Sequence, residues 1–498
     1  MLSGYTRKFK PLEIISEEEV ESIHRGALFV LESTGMRVDH DRALKLFSDA
    51  GCDIDWENNR VRMPSGLVEE CVRMIPSSYI IKARDREKDL MIGGDTLYFM
   101  QGMGMKHLDL DTWETRPATM REHKESMIVA DALDDIHLAD AVFAYTEIKG
   151  VPAVMTQLEN LASGIRNSSK AQQFGYSQDS EVFAIKMAKE LGMILNPEMD
   201  TANPLTIYGG SIEAVFRYIE AGFPVEPCTG MAMGAEGATT CAAAAVQGCA
   251  SIMGWAVLTQ LIKEGAPMSI QSGLKPMDMK TGCPDFASTT QSLTTVMINQ
   301  MLRFYNIPSC TSAGFTSLSK KIDYQCGYEK SMGALIAALS GGNLQIFQGG
   351  SCSELLYHPA LSILDNDVAG WVGRFLQGAE VSDESLAISL INQVGPVPGH
   401  YLNTKHTREH WKKEHYVPAV ADRAPYPEWI TTGKKDTLTL AQERMDHIVK
   451  THTPLPLTPE QEKIVDNTLT EARDYYRKKG LISDEEWTEY VEALEANG

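Results

Sequence analysis

The chain has 498 residues, with 46 Lys and Arg against 67 Asp and Glu, so its net charge is −21. This charge argues against nucleic acid or an anionic membrane surface as the main partner. Nine cysteines without a CxxC pair, no secretory start and no uninterrupted apolar run of membrane-spanning length together predict a cytoplasmic protein with reduced thiols.

Residues 1–119 are predicted to form an N-terminal extension of helices and short strands. Ser16, followed three residues later by Glu19, forms a capping box that predicts the start of a helix. A hairpin is expected about Asn58. The run at 96–119 predicts a strand, a glycine hinge at Gly102 and Gly104, and a second hairpin.

From residue 120 onward, helical and strand patterns alternate. The predicted strands occupy residues 138–145, 171–176, 204–208, 224–229, 267–271, 308–312, 343–348 and 398–402. A helix is predicted at 324–339, because apolar residues recur there on one helical face. Eight such units predict an α/β fold, a TIM (β/α)8 barrel over residues 120–410, with a doubly wound sheet as the alternative.

Residues 411–498 are predicted to form a C-terminal helical extension on the outside of the barrel, with prolines between its helices. The run before it contains His406, Glu409 and His410, the H-x-x-E-H pattern of inverted zinc peptidases. The match is short, follows the barrel and lacks a third ligand. A surface helix explains such a match more often than a zinc site does, so no metal site is predicted.

Candidate binding residues lie at the ends of the predicted strands, where a barrel carries its site. The polar and aromatic ones are Gln173, Tyr176, Tyr208, Gln271, Phe315, Phe347, Gln348, Glu354, Tyr357 and His358. For each residue taken singly, packing at the barrel rim is the more frequent explanation. No tight carboxylate pair, Ser-His-Asp set or phosphate-binding loop accompanies them, so the set favours an organic cation held by aromatic faces.

Three lysines also follow predicted strands, namely Lys275, Lys320 and Lys321. Their ammonium groups could bind a substrate carboxylate. Lysines in loops are mostly solvated, and that explanation is the more frequent one.

Seven segments spread along the chain are similar to segments of one known family. They are HLDLDTWETRPAT (107–119), GMAMGAEGATTCAAAAVQG (230–248), LIKEGAPMSIQSG (261–273), TSLSKKIDYQCGYEKSMGALIAALSGGN (316–343), SILDNDV (362–368), HYLNTKHTREHW (400–411) and AQERMDHIVKTHTPLPL (441–457). Agreement in order at so many places is more specific than one short motif. The chain thereby resembles the trimethylamine methyltransferase family, in the branch that lacks pyrrolysine.

The resemblance implies a TIM barrel that moves a methyl group from a methylated amine to the cobalt of a corrinoid (cobalamin) on a separate protein. That partner would supply the corrinoid, and no tightly bound cofactor is expected. Because the sequence contains only standard residues, a quaternary amine is expected, with glycine betaine first. No catalytic acid is assigned, because a quaternary nitrogen leaves as a neutral amine without needing a proton.

With a betaine as substrate, the candidate binding residues divide into two groups. The aromatic faces expected to hold the trimethylammonium group are Tyr176, Tyr208, Phe315 and Phe347. The side chains expected to orient the carboxylate are Gln271, Gln348 and His358. A homo-oligomer is expected for a barrel of this size. The alternatives are a methyltransferase for proline betaine or carnitine, a metal-dependent enzyme of another class, and a noncatalytic betaine-binding protein.

Overall fold

In a computed structural model, which describes residues 1–311 and 314–496, eight parallel strands form a closed barrel. They are β1 (Thr96–Gln101), β2 (Leu138–Ala139), β3 (Ala171–Phe174), β4 (Asn196–Asp200), β5 (Glu226–Cys228), β6 (Ile270–Ser272), β7 (Ser309–Thr311) and β8 (Leu344–Gln348). The last strand pairs with the first, with Leu344 opposite Tyr98. The predicted TIM barrel is confirmed.

Two strand predictions and the predicted start of the barrel were wrong, and the strand predicted at 138–145 ends at Ala139. The sequence pattern predicted that the barrel begins at residue 120. It begins earlier, at β1. Its fourth strand lies at 196–200 and not at 204–208, where only Thr206–Ile207 forms a short strand outside the barrel. Residues 398–402 form exposed turns. Strand β1 was assigned to the extension because pairing with β8, more than 240 residues later, leaves no local signal.

Nineteen helices surround and extend the barrel within the described residues. They are α1 (Glu17–Ser33), α2 (Asp41–Asp49), α3 (Ser65–Met74), α4 (Met120–Ala132), α5 (Ala141–Ala144), α6 (Ala153–Asn167), α7 (Ser180–Glu190), α8 (Gly209–Ala221), α9 (Cys241–Ile262), α10 (Thr289–Tyr305), α11 (Tyr324–Leu339), α12 (Pro359–Leu376), α13 (Asp383–Leu386), α14 (Ile388–Val394), α15 (Lys405–Glu414), α16 (Tyr426–Thr431), α17 (Thr437–Thr451), α18 (Pro459–Lys478) and α19 (Asp484–Glu495). The capping box at Ser16 and Glu19 and the bounds of α11 are confirmed.

Further short strands lie outside the closed ring of eight. They are Tyr5–Thr6, Met36–Val38, Asp53–Asp55, Arg60–Arg62, Ser78–Ile81, Leu90–Gly93, Lys106–Leu108, Thr115–Arg116, Thr206–Ile207, Met231–Met233, Leu274–Pro276, Gly350–Ser351 and Leu356–Tyr357. Lys106–Leu108 follows β1 and pairs with Leu356–Tyr357, which follows β8. This pairing joins the loops after the first and last strands at the mouth of the barrel.

Helix α9 lies in the middle of the largest apolar core and is buried along most of its length. It packs against α1, α3 and α10, and Trp255 within it is fully buried. Its length and hydropathy would suffice to cross a membrane, and 72% of its most apolar window is buried inside the structure. The apolar run is explained by a helix that other helices enclose.

Candidate active site

A cavity of about 910 Å³ opens at the carboxyl ends of the barrel strands. Its wall includes Glu198 and Asp200 of β4, Cys228 of β5 and Gln271 of β6. The loop after β8 contributes Glu354. Because this is the end of the barrel where the loops after the strands converge, the cavity is the candidate active site.

Glu198 and Asp200 are the central acidic pair of the cavity. Their side chains lie on the same face of β4, since they are two residues apart. The Gln173 amide Nε2 donates a hydrogen bond of 2.6 Å to Glu198 Oε2. The Tyr176 hydroxyl donates to Asp200 Oδ2 over 3.3 Å and also lies 2.6 Å from Ser211 Oγ. Neighbouring side chains therefore hold both carboxyl groups in place.

The acidic groups of the cavity are held in an environment that disfavours their ionised forms. Burial raises the pKa of Glu198 well above its usual value, and the nearby Asp200 charge raises it further. Enclosure in the cavity wall also raises the pKa of Asp200. Burial raises the pKa of Glu354, while Lys275 opposes that rise. A bound cation would favour ionisation of all three groups.

A second acidic layer lies deeper in the barrel. Ser269 Oγ donates to Glu226 Oε2 at 2.8 Å, and the Tyr79 hydroxyl donates to Ser269 Oγ at the same distance. Burial raises the pKa of Glu226, and it raises the pKa of Asp140 to about 8. Among the described residues, Asp140 Oδ2 and Gln271 Oε1 are buried acceptors without a hydrogen-bond partner. A cation placed near these groups would favour their ionised forms.

Two lysines give the same cavity a basic side. Lys275 follows β6, and its Nζ lies 4.0 Å from the centroid of the Phe286 ring. Lys320 lies in the loop after β7, and its Nζ donates to the Leu318 carbonyl at 2.8 Å. Both line the cavity. Carboxylates and ammonium groups in one cavity can bind the two ends of a zwitterion.

The structure places three of the predicted binding residues at or beside the cavity. Gln271 lines it. Tyr176 adjoins it through its contact with Asp200, and the Tyr208 ring lies 6.1 Å from the Tyr176 ring, centroid to centroid. Both tyrosine rings are half-buried. The binding roles of these three residues stay predictions.

The other four predicted residues lie elsewhere. Phe315 is fully buried and packs against Phe99, with ring centroids 5.8 Å apart. Phe347 is 2% exposed and adopts a left-handed backbone with φ of 81°. Gln348 Nε2 donates to the Asp135 carbonyl at 2.9 Å. His358 caps α12, where its Nδ1 accepts from Ala360 N. None of the four is among the residues that line the cavity.

The acidic pair is the feature that sequence reasoning missed. Glu198 and Asp200 were absent from the candidate residues because the fourth strand was placed at 204–208. The segment Asn196–Asp200 carries an E-x-D pattern, in which both carboxylates share one face of a strand. That pattern becomes a signal once the segment is known to end at the barrel mouth.

The H-x-x-E-H run lies far from this cavity in the chain, on α15. The rings of His406 and His410 lie 4.5 Å apart, centroid to centroid, so they do share one helical face. Across residues 1–311 and 314–496, no group of three His, Cys, Asp or Glu side chains is arranged to hold a metal ion. Glu409 of the motif pairs instead with Lys405, at 3.6 Å.

Comparison with known proteins places the chain within a family. The family model of trimethylamine methyltransferase (MTTB) matches residues 1–475. Glycine betaine methyltransferase of Desulfitobacterium hafniense (strain Y51) is 29% identical over 462 residues, covering 90% of this chain and 94% of that protein. Trimethylamine methyltransferase MttB of Desulfitobacterium hafniense (strain DSM 10664 / DCB-2) is 27% identical over 472 residues, covering 93% and 94%.

Solved structures include one with limited similarity to this chain. The crystal structure of the Methanosarcina barkeri monomethylamine methyltransferase (MtmB) is 13% identical, with a TM-score of 0.48, and covers 92% of this chain and 94% of that chain. The family assignment depends on the sequence match, which spans nearly the whole chain. The chain is therefore a methyltransferase that belongs to the trimethylamine methyltransferase (MTTB) family.

Proposed function

We propose that the protein transfers a methyl group from a small zwitterionic quaternary amine to the Co(I) of a corrinoid carried by a separate protein. The observation that carries the proposal is the cavity with acidic Glu198, Asp200 and Glu354 together with basic Lys275 and Lys320. A betaine has a permanently positive nitrogen and a carboxylate, so its charges complement such a cavity.

The bond changes explain why this site needs no general acid. The carbon–nitrogen bond breaks, its electron pair stays on nitrogen, and the amine leaves as a neutral tertiary amine. The methyl carbon forms its new bond with the electron pair of the acceptor Co(I). The residues of this chain bind the ammonium group, orient one methyl outward and exclude water, and orientation of this kind accounts for up to ~7–11 kcal/mol in favourable cases.

Carboxylates take over the role that the sequence assigned to aromatic faces. Glu198, Asp200 and Glu354 line the cavity, and once a cation favours their ionised forms, Coulomb attraction in a partly enclosed site is stronger than in water. Tyr176 and Tyr208 can still offer ring faces beside the pair. The cation site is therefore acidic with an aromatic flank.

Glycine betaine is the proposed substrate, since a relative of known name acts on it. A larger betaine such as proline betaine or carnitine is the second candidate. The observation that favours it is the cavity volume of about 910 Å³, which lies near the upper end of the range for drug-sized ligands. The open mouth also leaves room for the corrinoid to approach the methyl group.

The test is a methyl-transfer assay with the purified protein, Co(I) cobalamin or the cognate corrinoid protein, and a panel of glycine betaine, proline betaine, carnitine and trimethylamine. Methylcobalamin formation followed by absorbance, with demethylated product identified by mass spectrometry, is expected for one betaine. Calorimetric binding of a betaine with no transfer to either acceptor would indicate a noncatalytic binding protein. Neither binding nor transfer across the panel would overturn the proposal.

The variant Lys275→Met tests whether a lysine in the cavity binds the carboxylate of a zwitterionic substrate. This change removes the positive charge while keeping a side chain of similar length. Betaine affinity is expected to fall at least fivefold, whereas tetramethylammonium, which has no carboxylate, is expected to bind equally well or better. An equal loss for both ligands would show that Lys275 does not bind the carboxylate.

A further inference from the structure

Two cysteine side chains lie at the mouth of the active-site cavity. All nine cysteines belong to the part of the chain that the structure describes, and among them only Cys283 is exposed. Cys283 and the half-buried Cys352 both line the cavity. Cys283 follows β6 and Cys352 follows β8. Since β7 lies between these strands in the barrel, the two thiols come from the loops on either side of the loop after β7.

The loops after β6 and β8 face each other across the cavity. Burial raises the pKa of Glu354, and Lys275 of the loop after β6 opposes that rise. Burial also raises the pKa of the Cys352 thiol, while Lys320 lowers it and Cys283 raises it further. Charges act on one another in this way only when they are close together. The two cysteines that line the cavity are therefore also near each other.

Cys283 lies in a turn that makes few contacts with the rest of the protein. Asp278 N donates to the Cys283 carbonyl at 2.9 Å, and Gly282 N donates to the Asp278 carbonyl at 2.7 Å. Residues 278–283 are all exposed. A segment that bonds mainly to itself and buries little surface moves at low cost. This turn can therefore bring Cys283 to the spacing that a disulfide needs, about 4.4–6.8 Å between Cα atoms.

Cys352 is the fixed member of the pair. It begins the left-handed turn after β8, with φ of 51°, and the next residue in that turn, Ser353, has φ of 54°. Ser353 N donates to the Ser317 carbonyl at 3.0 Å, which ties the turn to the loop after β7. Cys228 of β5 also lines the cavity, but burial raises the pKa of its thiol well above the usual value. Cys228 therefore stays protonated and unreactive.

We propose that Cys283 and Cys352 form a thiol modification site, which a low-molecular-weight disulfide such as oxidised glutathione converts into a disulfide bond across the cavity mouth. The exposed Cys283 thiolate attacks one sulfur of the reagent, whose S–S bond breaks and releases one glutathione. The Cys352 thiolate then attacks Cys283 Sγ, which forms the new S–S bond and releases the second glutathione. The two thiol protons pass to the released glutathiones, so the protein is oxidised by two electrons and the reagent is reduced.

The effect of this bond on the active site rests on the proposed function. The bond would join the loop that carries Lys275 to the turn that carries Glu354, and both residues line the cavity. It would span the entrance and hold these two charged groups away from a ligand. Oxidants also consume Co(I), the proposed methyl acceptor. Closure of the cavity under oxidising conditions would therefore exclude the substrate while no acceptor is available.

The test treats the fully reduced protein with oxidised glutathione and maps its peptides by mass spectrometry without reduction. The peptides of Cys283 and Cys352 are expected to appear joined, with the loss of two hydrogens, and dithiothreitol is expected to separate them. Cys283→Ser and Cys352→Ser are each expected to abolish the joined species. Cys241→Ser is the matched control and is expected to behave as the wild type, since the half-buried Cys241 does not line the cavity.

A glutathione adduct on Cys283 without the joined peptides overturns the proposal, and so does a wild type that stays unmodified. Calorimetry of glycine betaine binding then compares the reduced and the oxidised protein. Affinity is expected to fall at least tenfold on oxidation and to return with dithiothreitol, whereas Cys283→Ser is expected to show no fall. Joined peptides with unchanged affinity would overturn the closure of the cavity. If the reduced protein binds no betaine but still forms the bond, the proposed function fails and the modification site stands.

Discussion

Among the cavity residues, Glu198 is the one most expected to bind the cation, because it is buried and has an acidic neighbour. It is 7% exposed and lies on the same strand face as Asp200. Its hydrogen-bond partner Gln173 is neutral. A carboxyl group in this position gains most when a cation arrives, since the cation removes the cost of ionisation.

The variant Glu198→Gln tests this role. The amide keeps the shape and can still accept the hydrogen bond from Gln173, so the loss of charge is the main change. Affinity for glycine betaine and for tetramethylammonium is expected to fall at least tenfold, or about 1.4 kcal/mol. Isothermal titration calorimetry measures it, with exposed Glu264→Gln as the control. Unchanged affinity for both ligands would exclude Glu198 as the cation-binding group.

The pH dependence of ligand binding follows from the raised pKa values of Glu198, Asp200 and Glu354. In the free protein these groups keep a proton at pH values where exposed carboxyls, with a pKa near ~4, have lost it. A cation binds the ionised form, so affinity is expected to rise with pH and level off above the raised pKa values. Calorimetry of tetramethylammonium binding between pH 5 and 8 would show a flat profile if the carboxyls play no part.

At the scale of elements, the loop after β8 depends on a buried ion pair. Lys330 of α11 lies 3.1 Å from Asp365 of α12, and both side chains are at most 3% exposed. Lys330 Nζ also donates to the carbonyls of Phe315, Phe347 and Gly350. The loop beyond it contains Cys352, Ser353 and Glu354 with φ of 51°, 54° and 72°. This strained turn directs Glu354 toward the cavity.

Lys330→Met is therefore expected to destabilise the fold and weaken ligand binding together. It leaves Asp365 buried without its cation, which costs about 3–5 kcal/mol in comparable cases. Urea unfolding measures the free energy of unfolding. Lys330→Met with Asp365→Asn is the informative second variant, because removing both charges is expected to restore part of that loss. Full stability in the single variant would show that the pair does not stabilise the loop.

Elements formed by interactions between neighbouring residues were predicted more accurately than elements that depend on distant strand pairings. Helix α11 was predicted with its observed bounds, because helical periodicity is a property of neighbouring residues. The face predicted to be buried was wrong, since Met332 is 60% exposed while Ala334 and Ala338 are buried. Strand β4 was missed, because Asn196–Asp200 contains a proline and two acids and resembles a loop in isolation. Its pairing with β3 and β5 makes it a strand.

At the scale of the whole molecule, the acidic interior of the barrel makes stability depend on pH. The folded state raises the pKa of Asp140 to about 8, mainly through burial. The folded protein therefore holds this proton at pH values where the unfolded chain has released it. The contribution to stability is full at low pH and is lost as pH rises from about 4 to 8, by up to about 1.4 kcal/mol per pH unit.

Asp140→Asn is expected to make this loss of stability with rising pH shallower. The asparagine oxygen can still cap α5, since the hydrogen bond from Phe143 N requires only an acceptor. Urea unfolding at pH 5.5 and pH 8 measures the difference, and exposed Asp446→Asn serves as the control. Identical slopes for the wild type and Asp140→Asn would contradict the buried-proton explanation.

The sequence by itself determined the alternation of helices and strands, the capped helix starts and the family. These depend on residue periodicity and on local hydrogen bonds, which are readable along the chain. Only the tertiary structure decided that Thr96–Gln101 closes the barrel with β8, that Phe315 and Phe347 are buried, and that Glu198 and Asp200 meet the cavity. Strand order and the direction of a side chain depend on pairings between distant segments, and no local pattern encodes those pairings.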